Sequence, residues 1–326
     1  MQRRNQANSK GLKWIIITDY AGTGDYENGA DGPRLASNEW YLYINEHNDA
    51  QTSYITVCPG EELATKEYEI LHPENSGHLL CYANSSYAAS YGTCQELINR
   101  TNSAGGFGII AHLYANAWVN WDDWNVTGFR GLEVISNQSD YSQSAVNKWD
   151  ELLTDNLQGI INGSHPKVIG MANSDAHNTQ GGWGKNMNYI YTGSSNPPGT
   201  NRSSVYDNLR AGRVTASSDG SLAVFSLNSY APGSIVNVNQ GTNNISITVS
   251  AECVESYSSP SGTIKIIKNG ESVYSEPFDG SSVTMTHSFT ATADCYYRVE
   301  VTFTGFVGDE PKDSYCFVNP VYVSLP

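Results

Sequence analysis

The sequence predicts an α/β domain, interpreted as a closed α/β barrel, over residues 1–218 and an antiparallel β-sandwich over residues 219–326. In the first part, short apolar runs typical of buried strands alternate with segments of helical period. Side chains of metal-binding type follow several of these strands. After about Ser218 the pattern becomes short alternating strands separated by turns, and no segment of helical period occurs. A chain of 326 residues is long enough for about two such domains.

The first part contains seven predicted strands and four predicted helices. The strands are expected at 11–20, 54–58, 76–82, 107–111, 131–135, 167–173 and 188–192. The helices are expected at 38–48, 93–104, 142–157 and 203–211. The helix after residue 92 has the clearest start, because Thr93 and Glu96 have the spacing of a capping box. The run from Lys167 to Met171 favours a strand buried on both faces, as in a parallel sheet.

The last hundred residues predict strands only. They are expected at 222–227, 245–249, 263–267, 283–286 and 296–301. The dipeptide Asn269-Gly270 indicates a tight hairpin, because both residues tolerate the positive φ angles of such turns. No cluster of acids and histidines occurs in this part, so we expect it to serve packing or attachment, with glycan binding as an alternative.

Charge and hydropathy exclude several classes of protein. The formal charge is −15 and the isoelectric point is near 4.8, which argues against a protein that binds nucleic acid through phosphate contacts. No apolar run approaches 18 residues, so no membrane span is predicted. The first residues lack the apolar core of a signal peptide. A composition rich in Asn, Ser, Tyr and Thr favours an extracellular or cell-surface protein whose leader is missing from this chain.

Acids, amides and imidazoles gather at the ends of the predicted strands. They are Asp19, Glu62, His112, Asn137, Asp175 and His177, and His78 stands at the front of a further strand. In an extended segment, Asp175 and His177 project to the same side because they lie two residues apart. Carboxylates and imidazoles are ligands for divalent cations, so the pattern predicts a metal site at one rim of the barrel. The alternative is a packed α/β domain whose polar strand ends are incidental.

Five segments, in order, resemble those of the PHP (polymerase and histidinol phosphatase) metal-dependent phosphoesterases. They are Ile15–Asp19, Pro59–Glu62, Gly77-His78, Ile109–His112 and Ser174–His177, and the likeness covers roughly residues 11–218. The run Leu209–Arg213 is similar to the closing helix of that family, and members with an appended β-sandwich are known. The resemblance implies a distorted (β/α)7 TIM-like barrel, here lacking its first strand, and hydrolysis of a phosphoester or related ester.

The resemblance also implies one to three divalent metals, which could be Mn, Zn, Fe or Mg. Glu62, His78 and His112 would ligate one metal. Glu62 would bridge to a second metal that Asp175 also binds, and His177 would serve a third. Glu62 is preferred over Glu61 because the acid of the family stands last in this motif. Asp19 would orient a ligand or a metal-bound water.

The chain departs from the family pattern at two places. It contains no His-x-His, although the family opens with a strand that carries one, and we therefore expect the chain to start about one strand–helix unit late. Tyr20 stands where the family has a histidine. A phenol is a poor ligand at neutral pH because its ordinary pKa is near 10. Neither departure removes a ligand from the site formed by Glu62, His78 and His112.

The resemblance thus implies a hydrolase that uses metal-activated water on a small phosphorylated substrate. Arg213 is a candidate for the group that binds the phosphate, with a role in closing a helix as the alternative. Trp118 and Trp121 are candidates for the wall of a substrate pocket, with packing against the domain as the alternative. Two other functions stay open: a metal-poor, non-catalytic protein that binds a glycan or a surface partner, and a carboxylester or amide hydrolase on the same metal site.

Overall fold

The segment from residue 14 to residue 173 contains the strands of a curled seven-stranded sheet. The computed structural model describes residues 12–20, 45, 48–49, 55–65, 77–88, 92–113, 121, 123–136, 140–176, 185–192, 201–239, 241, 244–254 and 256–325, without the side chains of residues 19, 20, 140 and 141. The strands are β1 (Trp14–Tyr20), β2 (Thr56–Ala64), β3 (His78–Tyr82), β4 (Phe107–Ile110), β5 (Gly131–Ser136), β6 (Asp140–Tyr141) and β7 (Ile169–Asn173). Their order is β1-β2-β3-β4-β5-β6, and β7 pairs with β5.

Four helices are described over their whole length, and residues 45, 48 and 49 are helical as well. The four helices are α1 (Cys94–Ser103), α2 (Gln143–Asp155), α3 (Leu157–Asn162) and α4 (Arg202–Ala211). The predicted capping box of α1 is confirmed: the Glu96 amide donates to the Thr93 hydroxyl, and the Thr93 amide donates to the Glu96 carboxylate. None of these four helices is both long and apolar enough to pass through a bilayer.

The C-terminal part consists of two further sheets. The strands are β8 (Met187–Ile190), β9 (Val214–Ser217), β10 (Leu222–Leu227), β11 (Ile235–Asn237), β12 (Ile245–Glu252), β13 (Ser258–Lys268), β14 (Glu271–Asp279), β15 (Ser282–Phe289), β16 (Cys295–Val307) and β17 (Glu310–Ser324). One sheet is β10-β12-β15, and the other is β14-β13-β16-β17-β9-β8 with β11 beside β17. Asn269 and Gly270, with φ angles of 49° and 84°, form the two-residue turn between β13 and β14.

The prediction of a (β/α)7 TIM-like barrel is wrong. Of the residues that the structure describes, about 50% lie in strands and 18% in helices, and the sheets resemble a curled half-barrel and a β-sandwich. Strands β2, β3 and β4 pair antiparallel, whereas a barrel of strand–helix units requires parallel neighbours. Strand β8, predicted at 188–192 as part of the barrel, pairs instead with β9, which was not predicted, and β9 pairs with β17.

The physical reason for the error lies in the apolar runs of the strands. All five residues of β3 and all four of β4 are buried, as in a parallel sheet, although these two strands pair antiparallel. A continuous apolar run therefore reports burial on both faces of a sheet and does not report strand direction. The division of the chain at residue 218 stays a prediction, since β8 and β9 precede that residue and belong to the second large sheet.

The larger C-terminal sheet packs between two hydrophobic cores. One core joins it to the three-stranded sheet, and the other joins it to the helices and strands of the first part. Asn319 of β17 ties it to β7, because its side-chain amide donates to Gly170 O (2.8 Å) and accepts from Gly170 N (2.9 Å). All six cysteines of the chain are buried and unbridged.

Candidate metal centre

Three predicted ligands, Glu62, His78 and His112, converge in the first sheet. In the register of β2 and β3, Glu62 lies opposite Leu80, so His78 is its diagonal neighbour on the same face. His112 follows β4 directly, and the backbone there adjoins β3 because Ala111 N donates to His78 O (3.1 Å). The antiparallel pairing of the three strands thus brings together side chains that are up to 50 residues apart in sequence.

The spacing of the ligand atoms suits a single cation. Glu62 Oε1 lies 2.7 Å from His78 Nδ1 and 3.2 Å from His112 Nε2. Two ligand atoms on one tetrahedral zinc, each about 2.1 Å from it, are separated by about 3.4 Å. All three potential ligand atoms lie within 4.8 Å of one another, and all three residues are buried. This buried cluster could hold a metal ion.

His112 has a strained backbone that Glu133 holds in place. Its φ angle is 53°, in the left-handed region that residues other than glycine seldom adopt. The His112 amide donates to Glu133 Oε2 (2.8 Å), and the same oxygen lies 3.4 Å from His112 Nδ1. Asn173 Nδ2 donates to the other carboxylate oxygen of Glu133 (2.8 Å). A carboxylate behind a histidine is the arrangement that orients metal-binding imidazoles.

The charges of this site depend on one another. Burial raises the pKa of Glu62, but hydrogen bonds to His112 and His78 and their charge outweigh burial, so its pKa lies well below the ordinary range. Burial lowers the pKa of His112, but the carboxylates of Glu133 and Glu62 outweigh burial and raise it. Without a cation, a proton on His112 balances the two acids. A bound divalent cation would take over that role, and its binding would release the proton.

Glu61 points away from the cluster, as expected for neighbours in an extended strand. Its carboxylate accepts hydrogen bonds from Asn84 Nδ2 and from the Ala88 amide (3.1 Å). Burial raises the pKa of Glu61 to about 7, against the effect of these hydrogen bonds. The two adjacent acids of this motif therefore occupy opposite faces of β2 and have opposite pKa shifts.

The raised pKa of Glu61 predicts a pH-dependent contribution to stability. Because its pKa is higher in the fold than in the unfolded chain, its ionisation destabilises the fold as pH rises from about 4.5 to about 7. Glu61→Gln keeps an oxygen that accepts both hydrogen bonds and cannot ionise. We expect the variant to gain as much as about 3 kcal/mol relative to the wild type between pH 4.5 and 8, measured by urea unfolding. A constant difference across that range would contradict the assignment.

A cavity of about 460 Å³ lies beside the site, between β1 and the strands β7 and β8. Tyr82 and Asn173 form part of its wall, and Asn173 is the residue that donates to Glu133. Burial raises the pKa of Tyr82, and the neighbouring Glu133 raises it further, so the phenol stays protonated. Asn173 thus links the cavity wall to Glu133, and Glu62, His78 and His112 do not themselves line the cavity.

The remaining predicted site residues are placed as follows. Asp19 lies on β1 opposite Glu61 in the register, but its side chain is outside the described residues, as are Trp118, Asn137 and His177. Asp175 is half-buried with a φ angle of 47°, and the cluster of ligand atoms among the described residues does not include it. Its predicted role, like those of Asp19 and His177, stays a prediction.

Trp121 and Arg213 are also described. Trp121 is 2% exposed, and its indole packs on Gly77, where a Cβ would lie 2.7 Å from the ring. It supports the backbone next to His78, and its role in substrate binding stays a prediction. Arg213 is exposed just after α4, and its guanidinium donates to Asn208 Oδ1 (3.2 Å). This contact closes the helix, and phosphate binding by Arg213 stays a prediction.

Glu133, which is 2% exposed, was not among the predicted site residues. The sequence contained a usable indication, because Glu133 interrupts the apolar run Gly131–Ile135 of a predicted buried strand. Charged residues are seldom fully buried without a specific partner. Asn173 offered no comparable indication, since amides are common at strand ends.

Replacing Glu133 tests its positioning role. We expect Glu133→Gln to weaken metal binding about 10- to 100-fold, because a neutral amide orients His112 less firmly and does not offset its charge. Zinc affinity would be measured by competition with a chromophoric chelator, with Glu252→Gln on β12 as a control. An unchanged affinity would show that Glu133 does not act on His112.

No protein-family model matches the chain, and no curated protein sequence matches it.

Proposed function

We propose that this protein is a metal-dependent hydrolase, and most specifically a phosphoesterase that acts on a small phosphorylated substrate. The observation that carries the proposal is the convergence of Glu62, His78 and His112 on one cation-sized position. The order of five short segments that resemble PHP phosphoesterases supports the same activity. The resemblance is proposed for the ligand residues and their chemistry, and it does not extend to the barrel.

The donor set favours some metals over others. Two imidazoles and one carboxylate match catalytic zinc sites and the facial sites of non-haem iron, which leave further coordination positions open. Manganese also accepts such mixed sets. Magnesium prefers oxygen ligands throughout, so two histidines disfavour it. We therefore propose Zn²⁺, Fe²⁺ or Mn²⁺ as the resident ion, held by these three residues.

The chain's own residues have distinct tasks in this proposal. A bound ion of this kind supplies a water of lowered pKa and polarises a phosphoryl oxygen. Glu62 and the two histidines hold that ion, and Glu133 keeps the His112 ring in its orientation. The cavity lined by Tyr82 and Asn173 is proposed to receive the substrate. No serine or cysteine nucleophile is needed.

A metal-reconstitution assay tests the proposal. The full chain would be stripped with a chelator and reloaded separately with Zn²⁺, Fe²⁺, Mn²⁺ or Mg²⁺. Hydrolysis of p-nitrophenyl phosphate would be compared with that of p-nitrophenyl acetate. We expect metal-dependent phosphate release, and a loss of at least about 100-fold in kcat/KM for His112→Ala, since such an ion contributes several kcal/mol.

The control is His287→Ala, which removes a histidine from β15 in the C-terminal part. It should retain wild-type activity. Metal-dependent cleavage of the acetate alone would support the carboxylester alternative against the phosphoesterase. Stoichiometric metal binding without cleavage of either ester, or no metal binding at all, would favour the non-catalytic binding protein.

A further inference from the structure

A second cavity lies at the end of the first sheet that is opposite to the metal centre. It measures about 390 Å³, and its lining includes Phe107, Arg130 and Pro166, which stand at the starts of β4, β5 and β7. These three strands run parallel, so their starts share one edge of the sheet. His112 follows the other end of β4, about 15 Å away at the usual rise of a strand. The cavity is therefore separate from the metal cluster.

Positive charge is concentrated around this cavity. Arg130 and Arg210 line it, Lys167 follows Pro166 directly, and Arg213 is close enough to affect Lys167. The whole chain has 18 lysines and arginines against 33 acids. Two of these cations line the cavity and the other two lie near them, in a chain that is acidic as a whole.

Arg130 and Lys167 have no acidic partner among the residues that the structure describes. In that part of the chain, no acceptor or carboxylate contacts the guanidinium of half-buried Arg130. Burial lowers the pKa of Arg130, and the nearby Arg210 lowers it further. The pKa of Lys167 is lowered in the same way, first by burial and then by the charges of Arg213 and Arg130. Both groups are under repulsion that a bound anion would relieve.

Arg210 is held in position for such a ligand. Its guanidinium lies 5.0 Å from the centre of the Phe107 ring, and its Nη2 donates to Gly105 O (2.9 Å). Asp207 lies 3.8 Å from Arg210 on the exposed side, where solvent weakens the pair. Ser164 and His165 add polar groups to the lining, and Gly163 leaves the rim open, since a Cβ there would meet no atom within 4 Å.

We propose that this cavity is an anion site for a phosphate group, with Arg130 and Arg210 as its main ligands. Guanidinium groups suit phosphate because their planar N–H donors bind two oxygens at once. A volume of about 390 Å³ also admits a small organic phosphate, so inorganic phosphate and pyrophosphate are the minimal probes. The site lies outside the metal centre and does not depend on the proposed hydrolase activity.

Calorimetric titration of the chelator-treated full chain tests this site. Phosphate and pyrophosphate would be added in about 0.15 M chloride, which screens nonspecific surface attraction. We expect saturable binding to the wild type and a loss of affinity of about tenfold or more for Arg130→Gln and for Arg210→Gln. Arg210 is partly exposed, so its variant remains informative if Arg130→Gln does not fold.

Two control variants distinguish phosphate binding in this cavity from binding at the protein surface or at the metal centre. Lys265→Gln removes an exposed cation from β13 and should bind phosphate like the wild type. Glu62→Gln alters the metal centre and should also leave phosphate binding unchanged. The proposal is overturned if the wild type shows no saturable binding up to roughly 50 mM phosphate. It is equally overturned if both arginine variants bind normally, or if Glu62→Gln abolishes binding.

Discussion

Glu62→Gln is expected to abolish specific metal binding by this protein. Glu62 is the carboxylate that contacts both His78 and His112, so its loss removes a ligand and the negative charge between the two rings. We expect the dissociation constant for zinc to rise by at least about 100-fold, because replacing even an outer carboxylate costs 10- to 100-fold. Zinc present at 100 times the wild-type dissociation constant should stabilise the wild type by about 2.7 kcal/mol and the variant by no more than about 0.4 kcal/mol.

The neighbouring Glu61→Gln provides a closely matched control. The two variants make the same chemical change one residue apart, on opposite faces of β2. Metal content after dialysis against zinc would be measured for both by mass spectrometry, and unfolding would be followed with and without zinc. Glu61→Gln should bind zinc like the wild type. Equal retention of zinc by both variants would refute the assignment of Glu62 as a ligand.

The metal cluster was more predictable from sequence than the fold around it. Glu62, His78 and His112 could be selected because each is an acid or imidazole next to an apolar run, where few other positions offer a ligand. Strand alternation predicted that Glu61 and Glu62 point in opposite directions, and the resemblance to PHP proteins decided between them. Glu133 of β5 accepts a hydrogen bond from the backbone amide of His112, which follows β4. No local pattern in the sequence reveals such a contact between neighbouring strands.

Strand direction was the part of the fold that sequence could not supply. The connection from β2 to β3 and the connection from β3 to β4 each join antiparallel neighbours. The direction of a strand relative to its neighbour depends on the path of the connecting chain. Apolar content fixes where strands lie, and the predicted bounds of β3, β4 and β5 agree closely with the observed ones. Strands β8 and β9 belong to the larger C-terminal sheet. The pattern of residues within each strand does not identify these partners.

The buried Arg298 connects the two halves of the molecule, which are the first part of the chain with its helices and the C-terminal sheets. It is 1% exposed and donates to Asp150 Oδ1 from Nε (2.7 Å), and its Nη2 lies 2.7 Å from Glu300 Oε1. Its guanidinium also lies 4.9 Å from the centre of the Trp149 ring. Burial lowers the pKa of Arg298, but the two carboxylates outweigh this effect and raise it above its ordinary value. Strand β16 is thereby tied to helix α2.

Arg298→Met is expected to destabilise the fold by about 3–5 kcal/mol, the usual cost of removing one partner from a buried ion pair. Methionine fills much of the volume but leaves the carboxylates of Asp150 and Glu300 without a cation. The free energy of unfolding would be measured in urea at neutral pH. The double variant Arg298→Met/Asp150→Leu should lose less stability than the single variant, since it removes one of the two stranded charges as well.

A more exposed ion pair on helix α2 is a control that separates the effect of burial on stability from the effect of charge pairing. Lys148 Nζ and Glu151 Oε1 are 2.6 Å apart, close to the Arg298–Asp150 distance, but Glu151 is 57% exposed. Glu151→Gln should therefore cost less than about 1 kcal/mol. If Arg298→Met costs no more than Glu151→Gln, the Asp150–Arg298–Glu300 group does not hold the two halves together. Their attachment would then depend on the apolar contacts around Trp149 and Tyr296, because these lie in the core that the two halves share.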